Sequence, residues 1–276
     1  MISASDVKRL RDMTGAGMMD CKKALTESGG DFEAAIDFLR KKGQKVSAKR
    51  ADREAKEGVI VTAVTDDGST GVIAEVNCET DFVARNEEFQ GFADEIAALA
   101  LSARPVDLDA LSALNLSDGV SVKQRVEELT GKIGELIGIR RFAVVDAPSG
   151  GRVVAYIHPG SRLGVLVTMS GNGNLEAVGR DVAMQVAAMS PVATHREEVD
   201  ATLQEKEMEI AREMARNEGK PENIVDRIAT GKLERFFKDN VLLEQAFVKD
   251  SSQTVEQILR GAESEVHGFE RYALGA

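Results

Sequence analysis

An α+β fold is expected from three observations. Apolar spacing changes from helical to alternating near Val59, a hairpin–loop–helix pattern then occurs twice, and a long helical stretch interrupts the second copy. Residues 1–42 are assigned to a three-helix module and 43–58 to a charged linker. Residues 59–147 and 148–276 are assigned to two core subdomains with antiparallel sheets, the second carrying a helical hairpin at about 191–240.

In the first forty-odd residues, Val7, Leu10 and Met13 have helical spacing until "TGAG" at 14–17 interrupts it. A second helix is expected from about Met19 to Glu27, ending at Gly29 and Gly30. Asp31 then caps a third, with Phe32, Ala35, Ile36 and Leu39 on one face. Three short helices bury little surface, so the module is expected to dock on something. "RKKGQKVSAKRADREAKEG" at 40–58 has too few large apolar side chains for a core and reads as a solvated, partly helical tether.

The first hairpin is "GVIVTAV", the turn "TDDGST" and "GVIAEVN"; the helix "FQGFADEIAALALSA" follows. After a polar interval, a helix around "SVKQRVEELTGKIGELI" leads to the strand "RRFAVVD". The second hairpin is "GRVVAYI", "HPGS" and "RLGVLVTMS", followed by the helix "LEAVGRDVAMQVAAM". In the inserted segment Val199, Leu203, Ile210 and Met214 form one stripe, "NEGKP" breaks it, and Ile224, Ile228 and Phe236 return. That is the pattern of two antiparallel helices with a thin apolar seam, the stripe packing on its own return arm or, as the second reading, projecting towards a partner. A strand "QAFVKD", a helix "TVEQILRGAESEV" and an edge-like "GFERYAL" close the chain.

Aligning the two copies exposes a difference. From Gly71 to Asp94 is 23 residues, from Gly164 to Asp181 is 17, and the six extra fall in the loop containing Asp81 and Phe82. A loop that one copy lengthens and the other does not is hard to assign to the fold alone. Within it, "NCETDFVARNEEF" places a phenylalanine and a carboxylate side by side among polar residues. The Phe either folds back into the core or is presented to something else.

Several function classes are disfavoured. A net charge of −11 argues against nucleic acid as the main ligand, and 4% aromatics leave few stacking platforms. No run approaches the apolar length of a membrane helix, and "MISASDVKRLRDM" lacks the apolar centre of a signal peptide. Cys21 and Cys78 stand far apart without a CxxC, which suits a reducing compartment, and a soluble cytoplasmic protein is expected. Neither "LTGKIGEL" nor "ATGKLERF" has the spacing of a phosphate loop. The three histidines, His158, His195 and His267, are scattered without metal-ligand spacing, and no cofactor is called for. A Cys78/His158 dyad is conceivable, but Cys78 lies in no recognisable activating motif. A non-enzymatic role is expected.

"TGAGMMDCKKAL" at 14–25 and "EVNCETDFVARN" at 75–86 resemble the signature segments of the elongation factor Ts family. The order of parts is also similar: a helical module like ubiquitin-associated domains, two related core subdomains, and a hairpin in the second. The resemblance implies a guanine-nucleotide exchange factor whose partner is the translational GTPase elongation factor Tu. It further implies that Asp81 and Phe82 enter the partner beside its nucleotide, the Phe wedging between helices and disturbing the Mg²⁺ site, with Thr80 and Val83 framing the loop. Arg11, Met18 and Met19 match module residues that touch the GTPase domain, and His158 falls where the family has a His in the second hairpin turn. Here "YIHPGSRLGV" departs from the usual Gly-rich turn. The hairpin's role is left open between dimerisation and a distal contact. The alternative from another class is a peptide- or ubiquitin-like-binding adaptor, which the module alone suggests and which leaves the longer loop without a role.

Overall fold

The computed structural model describes residues 2–50 and 52–275. It is a mixed helix-and-sheet structure with small antiparallel sheets, an α+β fold. The chain divides into two compact units: Met1–Val61, Ala74–Phe142 and Ala273–Ala276 in one, Thr62–Ile73 and Ala143–Tyr272 in the other.

The first unit begins with α1 (Ala4–Thr14), α2 (Met18–Glu27) and α3 (Phe32–Arg50). Ser3 and Asp6 close a capping box on α1, and Gly15, at φ 63°, stops it in the left-handed region. Val7, Leu10, Cys21, Ala24, Leu25 and Ala35 form the buried centre of this helical cluster. Met13, expected on the same face, is exposed. The third helix does not stop near Arg40. It runs through "KKGQKVSAKR" to Arg50, so the helical part of the tether is a continuation of α3, which has a tertiary neighbour there.

That neighbour is α7 (Val122–Ile133). A Cβ on Gly131 would lie 2.5 Å from the Cα of Gly43, so the two helices touch backbone to backbone. Arg40 and Glu128 pair at 3.4 Å beside the crossing. The same unit contains α4 (Asp81–Ala84), α5 (Glu87–Ala103) and α6 (Leu108–Ala113), the last within the polar interval, for which the sequence indicates no element. α5 buries Phe89, Phe92, Ala93, Ile96, Ala97 and Ala100, the stripe its sequence period calls for.

Strands β1 (Glu57–Val64), β2 (Thr70–Cys78) and β3 (Gly138–Asp146) form one sheet in that order. Every residue of the central β2 is buried, including Glu75 and Asn77. The Glu75 carboxylate is met by Arg141 at 2.7 Å, Arg140 at 3.4 Å and the Asn77 amide at 3.1 Å.

In the second unit, β4 (Arg152–Ile157) and β5 (Leu163–Gly171) pair antiparallel from Arg152↔Met169 to Ile157↔Gly164. β8 (Ser264–Ala273) lies beside β5. α8 (Leu175–Met189) packs on the hairpin so closely that a Cβ on Gly179 would fall 2.6 Å from Val154. "QAFVKD" is not one strand but a two-residue β6 (Ala246–Phe247) turning into β7 (Asp250–Thr254). α11 (Val255–Gly261) ends before the expected Val266, because Glu263 adopts φ 49° and the chain enters β8.

Between them, α9 (Ala201–Asn217) and α10 (Glu222–Asn240) fold back on each other. At the base of the hairpin Val199, Leu203 and Phe236 pack in one apolar cluster, as expected, and farther out the seam moves one residue along. Ala211 and Ala215 are buried against a return arm that buries Val225 and Ala229, while Ile210 and Met214 are exposed. Small side chains let the arms approach, and Arg212–Asp226 at 2.8 Å and Arg216–Glu222 at 2.9 Å flank the contact.

Candidate partner-binding turn

Residues 79–86 connect β2 to α5 and contain α4, a single helical turn. Thr80 is its N-cap, with φ −127°, ψ 155° and a side chain that accepts from the Val83 N–H at 3.4 Å. Asn86 then caps α5 by accepting from the N–H groups of Glu88 and Phe89. Two caps six residues apart leave no freedom for a drifting loop. On α4, Ala84 faces inward, Asp81 and Val83 are half-buried, and Phe82 is 81% exposed. The phenylalanine is presented, not folded back. Asp81 holds Arg85 at 2.9 Å across one turn.

The turn is tied down from beneath. The Thr80 N–H donates to Glu135 Oε2 at 3.0 Å, and the Thr80 hydroxyl donates to Glu135 Oε1 at 2.7 Å. In the opposite sense, the Leu136 N–H donates to Glu79 Oε1 at 2.6 Å, where Arg50 Nη1 also donates at 2.6 Å. That backbone N–H, followed by Arg50, holds the Glu79 carboxyl below the usual range. Residues 79–80 are thereby laced to 135–136, and the end of α3 joins through Arg50.

Cys78 lies fully buried at the root of the turn, its S–H directed to the Thr80 carbonyl at 3.2 Å. Burial, with the Glu135 carboxylate adding, pushes its thiol up to about 12. Such a group is protonated at neutral pH, the reverse of an activated thiol.

The other expected site residues lie elsewhere. Arg11 is exposed in the last turn of α1, and Met18 and Met19 open α2, both exposed, Met19 at 72%. Neither methionine packs inside its module. His158 belongs to the second unit and is exposed in the turn between β4 and β5, with Nδ1 2.8 Å from the Tyr156 hydroxyl. Thr80, Asp81, Phe82 and Val83 form one continuous turn. Sequence reading missed Glu79 and Glu135. Glu135 stands 55 positions from its partner, and only its place just after Gly134, the left-handed cap of α7, marks it as a fixed point.

The two links from hairpin to helix differ in length. From Gly71 to the Asn86 cap is 15 positions, and from Gly164 to the Asn174 cap of α8 is 10. Both links end in an asparagine cap; the first carries five residues more, and the sixth of the extra residues counted in the sequence falls inside α5.

A family model described as elongation factor TS matches residues 79–276, beginning at the turn itself. Curated relatives match over nearly their whole length. Elongation factor Ts of Chlorobium phaeobacteroides is 49% identical, with 100% of this chain and 99% of the relative covered. That of Cytophaga hutchinsonii is 50% identical, with 94% and 93% covered, and that of Prosthecochloris aestuarii 48%, with 100% and 99%. Likeness of this extent, together with the matched model, means that the chain belongs to the elongation factor Ts family.

Proposed function

We propose that this protein is a guanine-nucleotide exchange factor of translation elongation. It binds elongation factor Tu·GDP, inserts the Asp81–Phe82 turn beside the nucleotide, and promotes GDP release so that GTP can enter. The observation that carries this reading is Phe82, a large apolar side chain 81% exposed on a turn capped at both ends. An isolated apolar residue held out rigidly gains nothing for the fold. It gains about 2 kcal/mol or more when buried as an interface anchor.

On this reading Phe82 enters between helices of the GTPase domain and Asp81 accompanies it, while Thr80 and Val83 frame the turn. The intrusion disturbs the groups around Mg²⁺. That ion bridges phosphate oxygens and neutralises their charge, so loosening it removes much of the hold on GDP. A thousandfold acceleration needs about 4 kcal/mol off the barrier, within reach of one buried aromatic and its neighbours. Reciprocity follows: if the factor weakens GDP binding, GDP weakens factor binding equally, and the cycle can turn. Arg11, Met18 and Met19, on the UBA-like module of residues 1–42, supply a second contact, and His158 a third. The hairpin at about 191–240 serves dimerisation or a distal contact.

The test follows release of fluorescent GDP from elongation factor Tu. Wild-type protein at micromolar concentration accelerates release, and Phe82→Ala lowers the maximal rate about thirtyfold, the equivalent of 2 kcal/mol. Because Phe82 touches little of its own chain, its replacement leaves the melting temperature unchanged. A wild-type protein without effect refutes the assignment, and a Phe82→Ala variant with full activity removes the turn from the mechanism.

A further inference from the structure

We propose that Glu135 is the positioning residue of nucleotide exchange: by gripping Thr80 through two hydrogen bonds, it fixes the direction in which Phe82 is presented. This rests on the exchange reading above.

The grip has the geometry of a mount. Glu135 follows Gly134, whose φ of 83° ends α7, and the Gly134 N–H is held by the Thr130 carbonyl at 2.9 Å. Two residues on, the Ile137 N–H donates to the buried Thr130 hydroxyl at 3.2 Å. The backbone on both sides of Glu135 is therefore anchored to the last turn of α7. From that base the carboxylate takes the N–H and the O–H of one residue, Thr80, with one oxygen each. Two bonds from one planar group to one residue fix orientation as well as distance. Thr80 is the N-cap of α4, so its orientation sets the axis of the turn and the bearing of Phe82, two residues on. The Thr80 hydroxyl gives its proton to Glu135 and keeps a lone pair for the Val83 N–H, so grip and cap are made by one atom. α4 has only four residues, so its own bonds, such as Arg85 N–H to the Asp81 carbonyl, hold the shape of the turn while the Thr80 grip sets its bearing.

A wedge that must enter a partner at a set angle loses rate when its bearing broadens, even if the surrounding surface still binds. Glu135 should thus act on the maximal rate of GDP release and little on the concentration of factor that half-saturates it. Its effect should also pass through Phe82. The experiment measures release of fluorescent GDP from elongation factor Tu with wild type, Glu135→Ala, Glu135→Gln, Phe82→Ala and the double variant Glu135→Ala/Phe82→Ala. The expected result is about a tenfold lower maximal rate for Glu135→Ala, the loss attached to one charged hydrogen bond. Glu135→Gln, which keeps one carbonyl oxygen, falls between; it also serves if the alanine variant does not fold. In the Phe82→Ala background, Glu135→Ala produces no further loss.

An active wild type, a slowed Phe82→Ala and an unchanged Glu135→Ala or Glu135→Gln overturn the positioning role while leaving the exchange reading intact. Equal losses from Glu135→Ala with and without Phe82 also overturn it, marking a general structural effect. If wild type fails to release GDP, the exchange reading falls and this role with it.

Discussion

Replacing Gly131 with alanine places a methyl carbon 2.5 Å from the Cα of Gly43, and 3.5 Å from that residue's N and C atoms. Carbon atoms in contact sit about 3.5–4.0 Å apart, so α3 and α7 must separate by about 1 Å or tilt. The obstacle is backbone in the interior of a 19-residue helix, not the free end of a side chain, and it cannot swing aside. Overpacking of this kind costs about 1–3 kcal/mol. Against it stands the gain of alanine over glycine in a helix, about 1 kcal/mol, part of which comes from stiffening the unfolded chain. Repulsion rises steeply at 2.5 Å, so the clash wins and Gly131→Ala destabilises by about 1 kcal/mol or more. Gly91 on α5 provides the control: it is exposed, and a Cβ there meets nothing within 4 Å. Gly91→Ala therefore stabilises by about 0.5–1 kcal/mol. The same chemical change in two helices of one compact unit has opposite signs. Urea unfolding followed by circular dichroism reads both as midpoint shifts in opposite directions at constant slope. Equal stability of the two variants would refute the backbone contact between α3 and α7.

Glu75→Ala is expected to destabilise by about 2–3 kcal/mol, since it removes a fully buried carboxylate facing Arg140 and Arg141, whose heads still reach solvent. Glu75→Gln loses less, and a loss below about 0.5 kcal/mol in the alanine variant would contradict the buried network. With its thiol raised to about 12, Cys78 resists iodoacetamide at pH 8 in the native chain and reacts in urea, as read by mass spectrometry; labelling within minutes without denaturant would sink the assignment. The same shift fixes a sign. The unfolded thiol ionises near its ordinary 9.0 and the folded one near 12, so stability declines as pH climbs through that interval.

Much of the fold was readable because periodicity is a strong signal over long elements. α8 runs Leu175–Met189, the span its apolar spacing indicates, and the hairpins fall where alternation and turn residues coincide. The failures share a cause. α4 is one turn and α6 six residues, too short to show a period. α3 continues through a charged stretch because Gly43 meets Gly131, a contact 88 positions distant with no local mark. In the α9–α10 hairpin the apolar stripe holds at Val199, Leu203 and Phe236, but farther out close packing selects Ala211 and Ala215 and leaves Ile210 and Met214 outside. The candidate site divides in the same way. The longer loop is visible from the repeat, and Phe82 within it from its setting, whereas Glu135, which grips the turn, has only its place after the helix-ending Gly134 to mark it.

The energetics of the longer link bear on what the turn is for. The chain passes from β5 to α8 in three residues, 172–174, and from β2 to α5 in eight, 79–86. Closing eight residues instead of three costs only about 0.9 kcal/mol in chain entropy, so length alone places little demand on the fold. The larger sacrifice is the burial that Phe82 forgoes, about 2 kcal/mol for a side chain of its size. A free eight-residue loop could recover it by collapsing the ring onto neighbouring apolar surface. The turn here is denied that escape by its two caps, by the Thr80–Glu135 grip and by the Glu79–Leu136 bond. Each of these bonds orders the turn without burying the ring. An arrangement that spends hydrogen bonds to keep a phenylalanine in water makes physical sense when the missing burial is completed by another surface, and when the ring must arrive there already aimed.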